Sequence, residues 1–257
     1  GLLPFDVNVP FWSDGADKKR WLAIPDGTSI TIDSDGHLVF PPGSVLVKEF
    51  TEGTTRIETR FLSRDASGSW SGVSYAWRAD QTDAEVVPLG DVRSVAGKTW
   101  IFPSAGACSQ CHVSVAGDAL GTEVLQLNRE IVYPATGRVG HQLATLAAVG
   151  MLTLPIDPRE YPALPSDPSA PLDLRARAWL HANCAFCHRP GGPGLGAPDF
   201  RWNASTPNVC DVVPLRGDFG LVDARIVAPG HPERSVLLHR ISVRNAPGQM
   251  PPLATNL

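Results

Sequence analysis

Val45-Leu46-Val47-Lys48-Glu49-Phe50 and, a few residues on, Arg56-Ile57-Glu58-Thr59-Arg60-Phe61-Leu62 are the stretches on which the fold turns. Apolar and polar residues alternate in both, and alternation with period two is the mark of a strand with one buried face; Ile57, Thr59 and Phe61 would share such a face. Turn signals recur around them: Pro25-Asp26-Gly27, Ser34-Asp35-Gly36, Pro41-Pro42-Gly43 and Ser67-Gly68. Strands separated by tight turns predict an antiparallel β-rich domain over residues 1–105. This stretch holds five of the seven tryptophans, Trp12, Trp21, Trp70, Trp77 and Trp100, whose irregular spacing predicts core packing rather than a binding platform.

Composition sets the outer bounds. The chain has 257 residues, 43% hydrophobic and 19% charged, which is globular material for one or two domains and excludes a disordered chain. With 22 Lys plus Arg against 26 Asp plus Glu the formal charge is -4, so there is no basic surplus to neutralise a nucleic-acid backbone. Twenty-four glycines and 24 prolines predict long, turn-rich loops. No run of about 18 apolar residues exists, so no transmembrane helix is expected. Gly1-Leu2-Leu3-Pro4 lacks the charged and apolar regions of a leader and reads as a mature start.

The cysteines carry the chemistry. Four of the five fall into two copies of one pentapeptide, Cys108-Ser109-Gln110-Cys111-His112 and Cys184-Ala185-Phe186-Cys187-His188. Residue frequencies allow one such pentapeptide by chance in only a few of a thousand chains of this composition, on the order of 0.003, and two far more rarely. Two thioether bonds to a porphyrin need thiols one helical turn apart, and the histidine that follows then meets the iron. A zinc site of paired Cys-x-x-Cys or a dithiol redox pair would use the same cysteines, but neither calls for the histidine twice over. The expectation is two covalently bound c-type haems, on Cys108/Cys111 and Cys184/Cys187, with His112 and His188 as iron ligands. Cys210 is left without an internal partner and is expected to be buried and inert, or else paired with another chain.

Between and after the motifs the period changes to that of helices. His141 to Val149 places Leu143, Leu146 and Ala147 on one face and ends at Gly150, a C-cap residue. Residues 153–171 hold six prolines and read as a stiff linker. Leu172 to about Asn183 reads as a helix running into Cys184, with Leu172, Ala176, Trp179 and Leu180 as its buried stripe. Pro232 to Arg240 is a further helical stretch. The predicted organisation is therefore α+β: the β-rich domain at 1–105, a first haem-binding unit with its linker at 106–165, and a second haem domain at 166–257.

For the second iron, Met250 is the expected sixth ligand. It lies 62 residues past His188 (250 minus 188), and Pro251-Pro252 would hold its loop extended. Its bland alternative is a core gap-filler. The sixth position of the first iron stays open to Met151, His141, His181 or nothing, with Met151 the first choice, 39 residues past His112 (151 minus 112). His181 shares a helical face with Cys184 and His188, which suits a bond to a haem propionate. His37, His231 and His239 read as surface or packing histidines.

Asn183-Cys184-Ala185-Phe186-Cys187-His188-Arg189-Pro190-Gly191-Gly192 with Met250-Pro251-Pro252 resembles the class I cytochrome c domain. Phe11-Trp12-Ser13-Asp14-Gly15-Ala16, Phe40 to Phe50, Trp77 to Ala84 and Gln126-Leu127-Asn128-Arg129 widen this to a resemblance to a family of bacterial di-haem c-type cytochromes over nearly the whole chain. The resemblance implies an exported protein, periplasmic or extracellular or lipid-anchored, with an N-terminal β-rich domain followed by two mainly α cytochrome c-like units. A class I domain normally closes with a helix after Met-Pro-Pro, whereas five residues follow Pro252 here, so that helix is expected to be missing, cleaved or replaced by a contact elsewhere. Three functional classes follow: a carrier of single electrons to or from a dehydrogenase, an oxidase or another cytochrome; a di-haem enzyme of peroxidase type with an open first iron; and an interaction module docked through the β domain.

Overall fold

The computed structural model describes residues 1–154 and 157–252. Eight strands come first: β1 (Leu3–Phe5), β2 (Asp17–Ala23), β3 (Thr31–Ile32), β4 (Leu38–Val39), β5 (Val45–Glu52), β6 (Thr55–Arg64), β7 (Trp70–Trp77) and β8 (Ala84–Val86). Six of them form one antiparallel sheet in the order β1-β2-β5-β6-β7-β8, with β3 and β4 paired separately. The two stretches that open the sequence argument are its central strands, β5 and β6. Each of the four turn glycines, Gly27, Gly36, Gly43 and Gly68, has a positive φ, the backbone conformation that the turn signals require. A hairpin of β9 (Asp91–Val95) and β10 (Lys98–Phe102) follows.

The remainder contains α1 (Ala105–Cys108), α2 (Val124–Leu127), the hairpin β11 (Glu130–Tyr133) and β12 (Arg138–His141), α3 (Gln142–Ala148), α4 (Leu172–Cys184) and α5 (Val236–Ser242). The expected helices at 141–149 and 172–183 are α3 and α4, and Gly150 ends α3 at φ +76°. The two mainly α cytochrome c-like units are not there. About 18% of the described residues are helical, and the fold is β-rich, with all its strands before residue 142. The physical reason is punctuation: residues 189–231 hold Pro190, Gly191, Gly192, Pro193, Gly194, Gly196 and Pro198 in quick succession, and no helix forms among them. The only helix of the described residues longer than seven residues is α4, with 13.

The burial pattern of α4 also departs from expectation. Leu172 is exposed and Ala176 is too, while Ala178, His181 and Asn183 are buried. The polar pair can be inside because each is satisfied: His181 Nε2 bonds Glu123 Oε1 at 2.8 Å, and Asn183 Oδ1 accepts from the Trp12 backbone N–H at 2.7 Å. Along β6, Phe61 is 36% exposed and Glu58 fully buried, the carboxylate being held by Arg60 at 2.7 and 2.9 Å and by the Trp100 indole N–H at 2.8 Å. The main core joins Leu22, Ile30, Leu38 and Phe40 from the first 105 residues with Leu127, Leu143, Leu146 and Leu152 from beyond. Leu164, in the proline-rich segment, is buried against Leu125 and Ala178 and donates its N–H to the Leu125 carbonyl, so the segment is packed rather than a free spacer. Pro155 of that segment lies outside the described residues.

Candidate functional site: one cavity lined by both cysteine-histidine motifs

The two pentapeptides make the same turn. The Ser104 side chain caps α1 by accepting from the Ala107 N–H at 3.1 Å, and α1 delivers Cys108; from there Cys111 N and His112 N both donate to the Cys108 carbonyl, at 3.2 and 3.0 Å. At the end of α4, Cys187 N and His188 N donate to the Cys184 carbonyl at 3.2 and 2.8 Å. One helical turn thus separates the thiols in each copy, the spacing that a double thioether bridge needs.

Each turn is fitted into its surroundings by a glycine. At Gly72 in β7 a Cβ would stand 3.1 Å from Cys108 Sγ, so the bare backbone lets the first motif lie on the sheet without displacing that side chain. At Gly194 a Cβ would stand 2.7 Å from the Cys187 carbonyl and 2.8 Å from His188 Nδ1; the Gly194 N–H donates to that carbonyl at 2.9 Å. Glycine is needed there for close approach.

The histidines differ in how they are held. His112 Nδ1 lies 2.6 Å from the Asp118 carbonyl, which can only accept, so Nδ1 carries the hydrogen and Nε2 keeps its lone pair. Burial, and after it the nearby Lys48 charge, pushes the His112 pKa down to about 4, so the ring is a neutral nitrogen donor at pH 7. His188 packs against the Phe200 ring at 5.6 Å, and its pKa is lowered by burial and by Arg240. His188 Nδ1 is buried with no hydrogen-bond partner.

Both turns open onto a single cavity of about 750 Å³. That volume lies within the roughly 300–1,000 Å³ of small-molecule and cofactor sites. All four motif cysteines, His112 and His188 line it, as do Met250, Pro251 and Pro252. Cys111 and Cys187, one from each motif, are in side-chain contact, which raises the Cys111 pKa and lowers that of Cys187. Burial alone pushes the Cys184 thiol up to about 12. In Cys108, Cys111 and Cys184 the thiol form is favoured over the thiolate.

The other candidate ligands lie elsewhere. Met151 does not line the cavity; it packs against the main core, and its carbonyl accepts from the Ile30 N–H. His141 caps α3 through Nδ1 and bonds Asn128 Oδ1 through Nε2 at 2.6 Å. His181 accepts from the Trp202 N–H on Nδ1, and its other nitrogen is taken by Glu123, so it faces away from the cavity. His37 is buried between Asp33 and Arg189, His231 is exposed beside Glu233, and His239 stacks on Phe219. Cys210 is exposed, against the expectation of burial.

Sequence reasoning missed the sheet wall of the cavity. Arg20, Lys48, Arg60 and Ser74 are consecutive cross-strand partners from β2 through β7, and all four line the cavity. The signal was present in the alternation: Lys48 sits between Leu46 and Phe50 on what would otherwise be an apolar face. Burial, with Arg20, Arg60 and Lys18 adding repulsion, pushes the Lys48 pKa down to about 7 although Glu58 pulls the other way.

The donor set can be set against what each rival group would need. Among the described residues no three His, Cys, Asp or Glu side chains converge on a point that could hold a bare metal ion, as a tetrahedral zinc site would demand. A haem needs from the protein only thiols for its edge and a nitrogen or sulfur for its iron, and the thiols, the free His112 Nε2, the orphaned His188 and Met250 fit that need. No helix of the described residues is long and apolar enough to cross a membrane. Comparison of the chain with protein-family models, with curated proteins and with solved structures finds no match.

Proposed function

We propose that this chain is an exported di-haem c-type cytochrome that carries single electrons between redox partner proteins in the periplasm or outside the cell. Cys108 and Cys111 hold one haem by thioether bonds and Cys184 and Cys187 the other; His112 and His188 supply the proximal nitrogens, and Met250 supplies a thioether to the second iron. When bound, haem provides a one-electron Fe(III)/Fe(II) couple. The chain's own residues do the rest. The Asp118 carbonyl fixes the His112 ring with Nε2 outward, Phe200 fixes the plane of His188, and the apolar lining keeps water from the redox centre, which raises its potential. A dehydrogenase, an oxidase or another cytochrome is the partner class. The observation that carries this reading is that two pentapeptides far apart in sequence form the same turn and open onto one cavity. Denaturing mass spectrometry of the exported protein tests it: about 1.2 kDa should appear above the 27.5 kDa polypeptide, each haem adding about 0.6 kDa. A mass equal to the bare polypeptide sinks it.

One observation favours a second reading for the first haem. Met151, His141 and His181 all lie away from the cavity, which leaves the first iron without a sixth ligand among them. An open iron is what a di-haem peroxidase needs at its reactive centre. A high-spin ferric spectrum with rapid cyanide binding at one of the two haems would select the peroxidase reading, and two low-spin haems inert to cyanide would select the carrier.

A further inference from the structure

The row Arg20, Lys48, Arg60 and Ser74 is not explained by stability. Neighbouring strands stand about 4.8 Å apart, so three cations lie abreast within about 10 Å, an arrangement that like-charge repulsion opposes. Two of them carry their own relief: Arg20 pairs with Asp6 at 3.0 Å and Arg60 with Glu58 at 2.7 Å. Lys48 stands between them with no ion pair or side-chain hydrogen bond among the described residues, and two strands away the Ser74 hydroxyl is buried without a partner. A half-buried amine and a buried hydroxyl, both left unpaired on a cavity wall, cost free energy unless something in the cavity pairs with them.

We propose that this row is a carboxylate-binding site whose occupants are the propionate groups of a haem held by the motifs in the same cavity. The proposal rests on the cytochrome reading. One uncompensated positive charge and one hydroxyl match singly charged groups rather than a phosphate, which brings nearly two charges. The two free donors are separated by about two strand spacings, which suits a pair of acidic groups carried on one rigid frame better than a single small anion. With a carboxylate beside it, Lys48 regains a reason to be charged, and the depressing effect of burial and of the flanking arginines is offset. The site also gives the β-sheet a function: it is the wall that holds the polar edge of the cofactor.

The test uses haem-loaded protein whose two haems have first been counted by mass, so that loss of haem, which defeats the cytochrome reading, is told apart from failure of this site. Spectroelectrochemical titration then compares wild type with Lys48→Leu, Lys48→Arg and Ser74→Ala. Lys48→Leu should lower the potential of one haem, because an uncompensated propionate favours the oxidised iron; Lys48→Arg should restore it. Ser74→Ala, which leaves every charge in place, should produce a smaller fall at the same haem and serves if Lys48→Leu does not fold. Titration with sodium acetate separates the sources of carboxylate: no response of the wild-type potentials fits propionates already in place. A saturable shift that Lys48→Leu lacks would assign the row to a free carboxylate and overturn the propionate assignment. Potentials unchanged in all three variants overturn the proposal, and so does loss of a low-spin spectrum in Lys48→Leu, which would make Lys48 an iron ligand instead.

Discussion

At the scale of single residues, Met250 and Glu123 carry predictions of different kinds. Met250 lines the cavity, with its N–H held by the Arg240 carbonyl at 2.9 Å, and thioether sulfur favours Fe(II). Met250→His should keep a six-coordinate second iron yet lower its potential, with loss of the weak long-wavelength absorption of an iron-thioether bond; identical potentials and spectra would make Met250 a packing residue. Glu123 ties the segment after the first cysteine-histidine motif to α4 through His181. Burial works to raise its pKa, but the hydrogen bond from His181 and the nearby Arg189 outweigh burial and hold it below the ordinary value. A carboxylate with a depressed pKa contributes stability that is present above its unfolded value and lost as pH falls through the folded one. Glu123→Leu should therefore cost about 1–3 kcal/mol at pH 7 by leaving the His181 N–H unpaired, and the difference from wild type should shrink in acid. Denaturant titrations at pH 7 and pH 3 read both effects, and an equal cost at the two pH values would remove the carboxylate from the account.

At the scale of elements, the motif turns show what is legible in a sequence and what is not. Cys108, Cys111, Cys184 and Cys187 could be read because covalent chemistry imposes their spacing, and β5 and β6 because alternation is a local property. Lys48 and Arg60 also stand in plain view, but their alliance with Arg20 and Ser74 depends on cross-strand register, which no local pattern reveals. The stripe of α4 was misjudged for a related reason: His181 and Asn183 are buried by partners distant in sequence, Glu123 and Trp12. Expecting helical haem units from the resemblance and a few helical stretches carried over a fold that the glycines and prolines of 189–231 argue against. The glycines beneath the turns make the two elements separately testable. Gly72→Ala presses a methyl onto Cys108, and Gly194→Ala presses one onto the Cys187 carbonyl and His188. Each should cost about 1–3 kcal/mol as overpacking. Gly72→Ala should reduce haem attachment at Cys108/Cys111 only, and Gly194→Ala at Cys184/Cys187 only, as peptide mass mapping would show. Equal loss at both sites in either variant would mean that the turns are not locally fitted.

At the scale of the molecule, the main core decides how the chain unfolds. Boundaries at 105 and 165 suggest parts that could melt separately, yet Leu143 and Leu146 of α3 and Leu127 of α2 share one buried cluster with Leu22, Ile30, Leu38 and Phe40. Arg129 donates to the Val7 carbonyl, and Gln142 bridges the backbone of Asp6 and Leu127, so polar contacts cross the first boundary as well. A fragment ending at residue 105 would leave half of that cluster facing water. The whole chain should therefore unfold in one transition, with tryptophan fluorescence, which reports mainly on the β-sheet, and far-UV circular dichroism giving the same midpoint. Leu143→Ala is the sharpest probe, because Leu143 is fully buried and lies outside the expected β domain. Truncating it should remove about 2–5 kcal/mol. If core and boundary are related as the packing says, that loss moves the tryptophan-reported midpoint as far as the helical one. A tryptophan transition that stays at its wild-type position while the helical signal shifts would show that residues 1–105 fold independently, and that the cavity is assembled from parts rather than made by one cooperative unit.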